Sequence, residues 1–318
     1  MDSTSLPAPP SLAPYSIAII GAGSVGSNIA SFLLLRRIAP TLLLIDTDHS
    51  LCRAQVLDLT DAAFLSNAHV RTATHAEAGQ ADIIIVTAGA KQRPGDTRLD
   101  LIGRNMKILR SVMDSMKPIK KDAVVLMVAN PVDVLTVFAQ SLSGLPKGQV
   151  LGSGTLLDSV RLRALVAEKA GVADTAVQVD VVGEHGDSQI VAWSSAHVGS
   201  TPLSYVLPLT EEEQASLAAT ARDKAYDIIK AKGFTSFGVA AVVSCVCQAI
   251  LGDEKVVIPI SHWIDELGCC LCVPAVVGRE GVVRTVWPGL SDREKEGVEA
   301  SAKALVEVVE NCEKEMQS

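Results

Sequence analysis

Aromatic side chains are scarce in this 318-residue chain, at 3% of the sequence. Stacking platforms for single-stranded nucleic acid are built from such rings, so that class of binder is excluded. Positive charge is short as well: 28 Lys and Arg stand against 36 Asp and Glu, a net charge of −8. That sign repels phosphate backbones and anionic membranes, so an anionic substrate has to be held by a few local cations. Long apolar runs are missing. Leu33–Leu35 stops at Arg36, and the stretch from Val239 to Leu251 contains Ser244 and Gln248, whereas a membrane-spanning helix needs ~20 apolar residues. Met1 to Pro14 holds neither a cation nor an apolar run. It therefore lacks the marks of a secretory signal or a transit peptide, and the cytoplasm is the expected location. Seven cysteines, an odd number, give no disulfide framework. Cys269, Cys270 and Cys272 fall in an apolar run with no histidine at ligand spacing, so they read as small buried hydrophobes and no metal is expected.

What the sequence has is apolar bulk, 48% of all residues, and enough length for two domains. Met1–Pro14, with four prolines, reads as a flexible arm. From Ser16 a regular alternation begins. Ser16–Ile20, Thr41–Ile45, Asp82–Thr87 and Ala123–Val128 read as buried strands, with helices over Val25–Arg36, Leu51–Phe64 and Leu99–Met116. Apolar strands separated by helices indicate a parallel sheet covered on both faces. After about residue 155 the pattern changes. A helix over Leu156–Ala170, closed by Gly171, leads to a strand over Ala176–Val182 and to helices over Thr210–Lys232 and Thr235–Leu251. Strand candidates between Lys255 and Val286 alternate poorly, which suits a mixed or antiparallel sheet. A closing helix over Ser291–Cys312 is apolar at Val298, Ala302, Leu305, Val309 and Cys312. The division expected is an arm over 1–14, a dinucleotide-binding domain over 15–155 and a substrate domain over 156–318.

Gly21-Ala22-Gly23-Ser24-Val25-Gly26 follows a buried strand directly and opens a helix. Glycines there permit a tight turn, close approach of a pyrophosphate and packing of helix on strand. The helix N-terminus offers unpaired N–H groups to the phosphates. Asp46 ends the next strand, where a carboxylate accepts from ribose hydroxyls and repels a 2′-phosphate. The cofactor expected is NAD, not NADP.

Four polar segments stand where an apolar fold has no need of them. Thr87–Arg98 is a long loop after a buried strand, with three glycine-bounded cations, Lys91, Arg93 and Arg98. Asn130-Pro131-Val132-Asp133 follows another strand, Asp158 and Arg161 share a helix face at i and i+3, and Gly183-Glu184-His185-Gly186-Asp187-Ser188 ends a strand. Strand C-terminal ends are where open α/β sheets bind ligands. In these residues, in this order, the chain closely resembles the lactate/malate dehydrogenase family from Ile17 nearly to its end. The resemblance implies a Rossmann-type doubly wound parallel sheet followed by an α+β substrate domain, which agrees with the segmentation above. It implies that His185 is the proton donor and acceptor and that Asp158 orients it. It further implies that Arg161 grips the substrate carboxylate, that Arg98 polarises the reacting carbonyl, and that Asn130 and Thr235 line the substrate site. Gly21, Gly23, Val25, Gly26, Asp46, Gly89, Ala90, Val128, Asn130 and Ser153 take the cofactor positions. His49, His69, His75, His197 and His262 have no such company and receive no role.

Substrate choice turns on Gln92. In the family, arginine there goes with malate and glutamine with lactate. A neutral side chain leaves the second carboxylate of oxaloacetate unpaired, at a cost of about 3–5 kcal/mol. Apolar fit supplies only about 1–3 kcal/mol, so pyruvate and L-lactate are favoured. Malate, larger 2-hydroxy acids and a non-catalytic nucleotide-binding or structural relative are the alternatives. The resemblance also implies a homotetramer, with a dimer second, acting in glycolysis. Some bacterial members are activated by fructose 1,6-bisphosphate through an arginine and a histidine. Arg163 matches the arginine, but Gln178 replaces the histidine, so little activation is expected.

Overall fold

The computed structural model describes residues 15–90 and 98–317. Six short strands run parallel: β1 (Ser16–Ile20), β2 (Thr41–Ile45), β3 (His69–Thr72), β4 (Ile83–Val86), β5 (Val124–Met127) and β6 (Val150–Gly152). Between them lie α1 (Ser24–Leu35), α2 (His49–Ala62), the single turn α3 (His75–Ala78), α4 (Arg98–Met116) and α5 (Val132–Ser143). The spatial order β3-β2-β1-β4-β5-β6 reverses direction between β1 and β4. That switch opens a crevice at the strands' carboxyl ends. Successive residues of a strand point to opposite faces. Ile17 and Ile19 accordingly enter the core under α1, while Ala18 and Ile20 enter the core under α4 and α5. A strand buried on both sides has to be apolar throughout, which is why β1, β2 and β4 read as unbroken runs.

Beyond β6 the chain forms α6 (Leu156–Ala170), the two-residue strands β7 (Val177–Gln178), β8 (Val181–Val182), β9 (Ile190–Val191), β10 (His197–Val198) and β11 (Thr201–Pro202), and the turn α7 (Leu203–Val206). Then come α8 (Glu211–Lys232), α9 (Phe237–Leu251), β12 (Val256–Ile264), β13 (Cys269–Gly278), β14 (Gly281–Thr285) and α10 (Asp292–Gln317). The antiparallel strands β12–β14 do not form a sheet of their own. β12 joins β6 at Ser261 opposite Gly152, so nine strands make one continuous sheet. All ten residues of β13 are buried, which accounts for the weak alternation in this region.

Ala176–Val182 is not one strand. β7 pairs with β10 and β8 with β9, and the break falls at Val179–Asp180. There the Arg163 Nε–H donates to the Val179 carbonyl at 3.1 Å, taking an acceptor a ladder would use. The last predicted helices shift at their ends. α9 begins at Phe237, not Thr235. α10 begins after Ser291, whose hydroxyl accepts from the Glu294 N–H while the Glu294 carboxylate accepts from the Ser291 N–H, a reciprocal cap.

Candidate active site

The turn between β1 and α1 is held by contacts that leave no room for side chains at two of its glycines. Gly21 has φ +103°, and a Cβ there would lie 2.6 Å from the Thr87 hydroxyl oxygen. A Cβ on Gly26 would lie 1.9 Å from the Gly21 carbonyl oxygen. Gly23 differs: it is exposed, and nothing lies within 4 Å of where its Cβ would be. The turn therefore presents bare backbone to open space at the head of α1, a cradle suited to a dinucleotide's phosphates. Asp46, at the end of β2, faces this turn. One carboxylate oxygen accepts from the Ala22 N–H at 2.7 Å and the other from the Asp48 N–H at 2.9 Å. It thus fixes the shape of the turn as well as offering a carboxylate beside it.

The neighbouring strand ends are tied together by Asn105 of α4. Its side-chain oxygen accepts from the Ala90 N–H at 2.6 Å, and its amide donates to the Asn130 carbonyl at 2.7 Å. This ties the chain after β4, at Gly89 and Ala90, to the chain after β5, at Val128 to Asn130. Ser153 lies just past β6, its N–H donating to the Met127 carbonyl at 2.8 Å. Sequence reasoning gave Asn105 no role. Its signal is a nearly fully buried amide on a helix face otherwise built from Ile102, Met106 and Leu109.

On the other side of the crevice, His185 follows the β8 end. Gly183, at φ +92°, turns the chain and exchanges main-chain hydrogen bonds with Cys272 of β13 at 2.8 and 3.1 Å. His185 Nδ1 meets Asp158 Oδ2 at 2.8 Å. Asp158 side-chain exposure is 3%, and Arg161, one turn on, contacts its other oxygen at 3.4 Å with 10% exposure. Such burial takes both charges out of bulk solvent. The contact occupies one of five guanidinium N–H donors, so the fork remains able to take a carboxylate bidentately.

A second carboxylate stands behind His185. Asp133, in the first turn of α5, is 2% exposed. Its Oδ2 accepts from the His185 main-chain N–H at 2.7 Å, and its Oδ1 accepts from the Cys272 thiol at 3.2 Å. Burial lowers the His185 pKa, but the hydrogen bond and charge of Asp158 and the charge of Asp133 outweigh it. Arg161 opposes them, and the net result lies above the ordinary value. Burial raises the Asp133 pKa, although Ser261, the His185 N–H and charge, and the Cys272 thiol each pull it down. His262, in contrast, is a satisfied core histidine bonded to the Ile260 carbonyl and the Thr285 hydroxyl.

Thr235 precedes α9, whose first turn packs Gly238 against Leu157, next to Asp158. Gln92 lies outside the described residues, as do Lys91, Arg93 and the side chain of Arg98. Among the described residues no cluster of three or more His, Cys, Asp or Glu is arranged to hold a metal.

Two family profiles cover nearly the whole chain. The lactate/malate dehydrogenase NAD binding domain matches residues 15–152, and the lactate/malate dehydrogenase alpha/beta C-terminal domain matches residues 155–316. The chain belongs to the lactate/malate dehydrogenase family. It resembles L-lactate dehydrogenase A of Rhizopus oryzae, 40% identical over 292 residues, 92% of this chain and 91% of that one. L-lactate dehydrogenase of Limosilactobacillus reuteri is 38% identical over 300 residues, covering 92% and 93%. Among solved structures, the minor L-lactate dehydrogenase of Enterococcus mundtii superposes with a TM-score of 0.89 at 33% identity, over 93% of this chain and 98% of that one. With family and cradle in agreement, the cofactor is NAD and the chain is an oxidoreductase of 2-hydroxy acids.

Proposed function

We propose that the chain interconverts pyruvate and L-lactate with NAD, using His185 as proton donor and acceptor. The observation that carries this reading is the His185–Asp158 pair at 2.8 Å with Arg161 on the same buried helix face. Asp158 accepts a hydrogen bond from the Nδ1–H and so leaves Nε2 free to give its proton to a ketone or take one from an alcohol. Arg161 binds the substrate carboxylate, a role its planar fork suits. Arg98 polarises the carbonyl, and Asn130 and Thr235 line the pocket. NADH, when bound, supplies the hydride; Gly21, Gly23, Val25, Gly26, Asp46, Gly89, Ala90, Val128, Asn130 and Ser153 hold it. In pyruvate reduction the ketone oxygen takes its proton from His185, whose positive form Asp158 stabilises.

Lactate is supported over malate by Gln92, which offers no charge to a second carboxylate, and by the names of the relatives. Domains dividing near residue 155, a homotetramer and a cytoplasmic place in glycolysis complete the reading. No helix among the described residues is long and apolar enough to cross a membrane. The test is loss of NADH absorbance with pyruvate and then with oxaloacetate. Pyruvate should have the higher kcat/KM, and Gln92→Arg should move the ratio toward oxaloacetate by a hundredfold or more, an effect of about 3 kcal/mol. A native preference for oxaloacetate would overturn the substrate assignment.

A further inference from the structure

We infer that Asp133 and Cys272 form a positioning pair behind His185, in which the thiol aims a buried carboxylate that fixes the histidine's main chain and adds a second negative charge to its imidazole. The inference rests on the acid/base role proposed for His185. It stands on three contacts from three elements. Asp133 of α5 accepts the His185 N–H, Cys272 of β13 donates to the other Asp133 oxygen, and the Cys272 backbone clamps Gly183 on both sides of one residue pair. Each carboxylate oxygen thus meets a donor, the pattern an ionised acid requires. Burial and the nearby Asp133 charge push the Cys272 thiol well above its ordinary range, so the sulfur keeps its proton and remains a donor. Asp133 also lies three residues after Asn130, at the end of the same strand-to-helix connection.

The charged groups acting on the His185 imidazole are Asp158 and Arg161 from α6 and Asp133 from α5, and its own loop carries Glu184 and Asp187. The Glu184 carboxylate is engaged by the Ser188 hydroxyl at 2.7 Å. Removing the Asp133 charge takes away one of the two carboxylates that favour the charged imidazole and leaves the opposing Arg161 in place, so His185 should lose its proton at lower pH. A packing role alone would lower activity evenly at every pH.

The test is kcat/KM for pyruvate against pH, with NADH affinity from fluorescence as a check on folding. Asp133→Asn keeps an acceptor for the His185 N–H and loses the charge. It should move the descending limb down by about half to one unit, a three- to tenfold loss above the limb, with NADH affinity within about twofold. Cys272→Ala should move the limb the same way by less, and Cys272→Ser should restore it. An Asp133→Asn limb in the native position overturns the inference, as does coincidence of the Cys272→Ala and Cys272→Ser limbs. The cysteine variants decide the matter alone if Asp133→Asn fails to fold. His185→Asn separates this inference from the reading beneath it. Turnover retained in that variant refutes the acid/base role itself; turnover lost, with the Asp133→Asn limb unmoved, refutes only the positioning pair.

Discussion

Gly23 and Gly26 belong to one short turn, yet alanine at each should have separable effects. At Gly26 a new Cβ would sit 1.9 Å from the Gly21 carbonyl oxygen. Relief requires α1 to retreat from β1 by about 1 Å, and α1 is packed through Ile29, Ala30, Leu33 and Leu34. Overfilling a packed site of this kind costs about 1–3 kcal/mol, which lowers Tm by several degrees. The same retreat withdraws the helix N-terminus from the cradle, so NADH should bind at least about tenfold more weakly. At Gly23 the backbone is extended, φ −71° and ψ −167°, and the added methyl meets nothing. Reduced freedom of the unfolded chain favours alanine by about 0.4–1 kcal/mol, and its poor N-cap preference offsets this. Stability should be almost unchanged, whereas NADH affinity should drop because the methyl fills the space the phosphates approach. Differential scanning fluorimetry and NADH fluorescence titration read the two effects separately. Wild-type NADH affinity in Gly23→Ala would show that the turn is not the phosphate site. An unaltered Tm in Gly26→Ala would show that the helix is not held by that contact.

Asp158→Asn should move the descending limb of pyruvate reduction to lower pH by about one to two units, since a charge-assisted bond is worth about 1.5–3 kcal/mol. Because His185 carries a raised pKa, reduction is supported below that value and lost above it, and lactate oxidation shows the mirror image; limbs that do not move together would contradict this. NADH should be preferred over NADPH at least about tenfold in kcat/KM, and Asp46→Ser should narrow the gap. That variant should also weaken NADH itself, since Asp46 holds the Ala22 N–H; equal use of both cofactors by the native enzyme would remove Asp46 from the assignment. Asp82→Ala should cost about 2 kcal/mol in denaturant unfolding, because this buried carboxylate accepts from the Ser16 N–H, Lys120 and Arg279. Burial raises the Asp82 pKa, but these partners lower it further, so its contribution is complete above its unfolded value near pH 4 and is lost as pH falls through the lower folded value. Native and variant stabilities should converge in acid. Fructose 1,6-bisphosphate should leave the pyruvate KM nearly unchanged, because Arg163 is committed to Asp180 and the Val179 carbonyl; a large drop in KM would refute this.

The parallel half was legible because burial on both faces forces continuous apolar runs, as at Ile17–Ile20 and Ile83–Val86. The short edge strand β3 was not read, since His69, Arg71 and Thr72 are exposed and only Val70 is buried. α5 is hidden in the sequence because its first residues, Val132 and Asp133, close the polar segment that starts at Asn130. The site was legible where residues lie close in sequence: Asp158 and Arg161 declare themselves by helical spacing. The links to Asp133, Asn105 and Cys272 were not, because each joins elements far apart in the chain. Asp133 did carry a signal, an acid inside an apolar helix. Cys272 carried none, for a buried thiol donor and a buried hydrophobe look alike until its partner is placed.

The junction of β6 with β12 makes one sheet serve both halves of the molecule. Neither half can melt without stripping hydrogen bonds and apolar cover from the other, so heating should give a single cooperative endotherm. A chain cut after residue 155 would end with β6 as a naked edge, a template for self-association. The same seam sets the span between nucleotide cradle and histidine by a rigid lattice of strands. Rearrangement accompanying turnover should therefore fall to loops and helix ends before it bends the sheet they stand on.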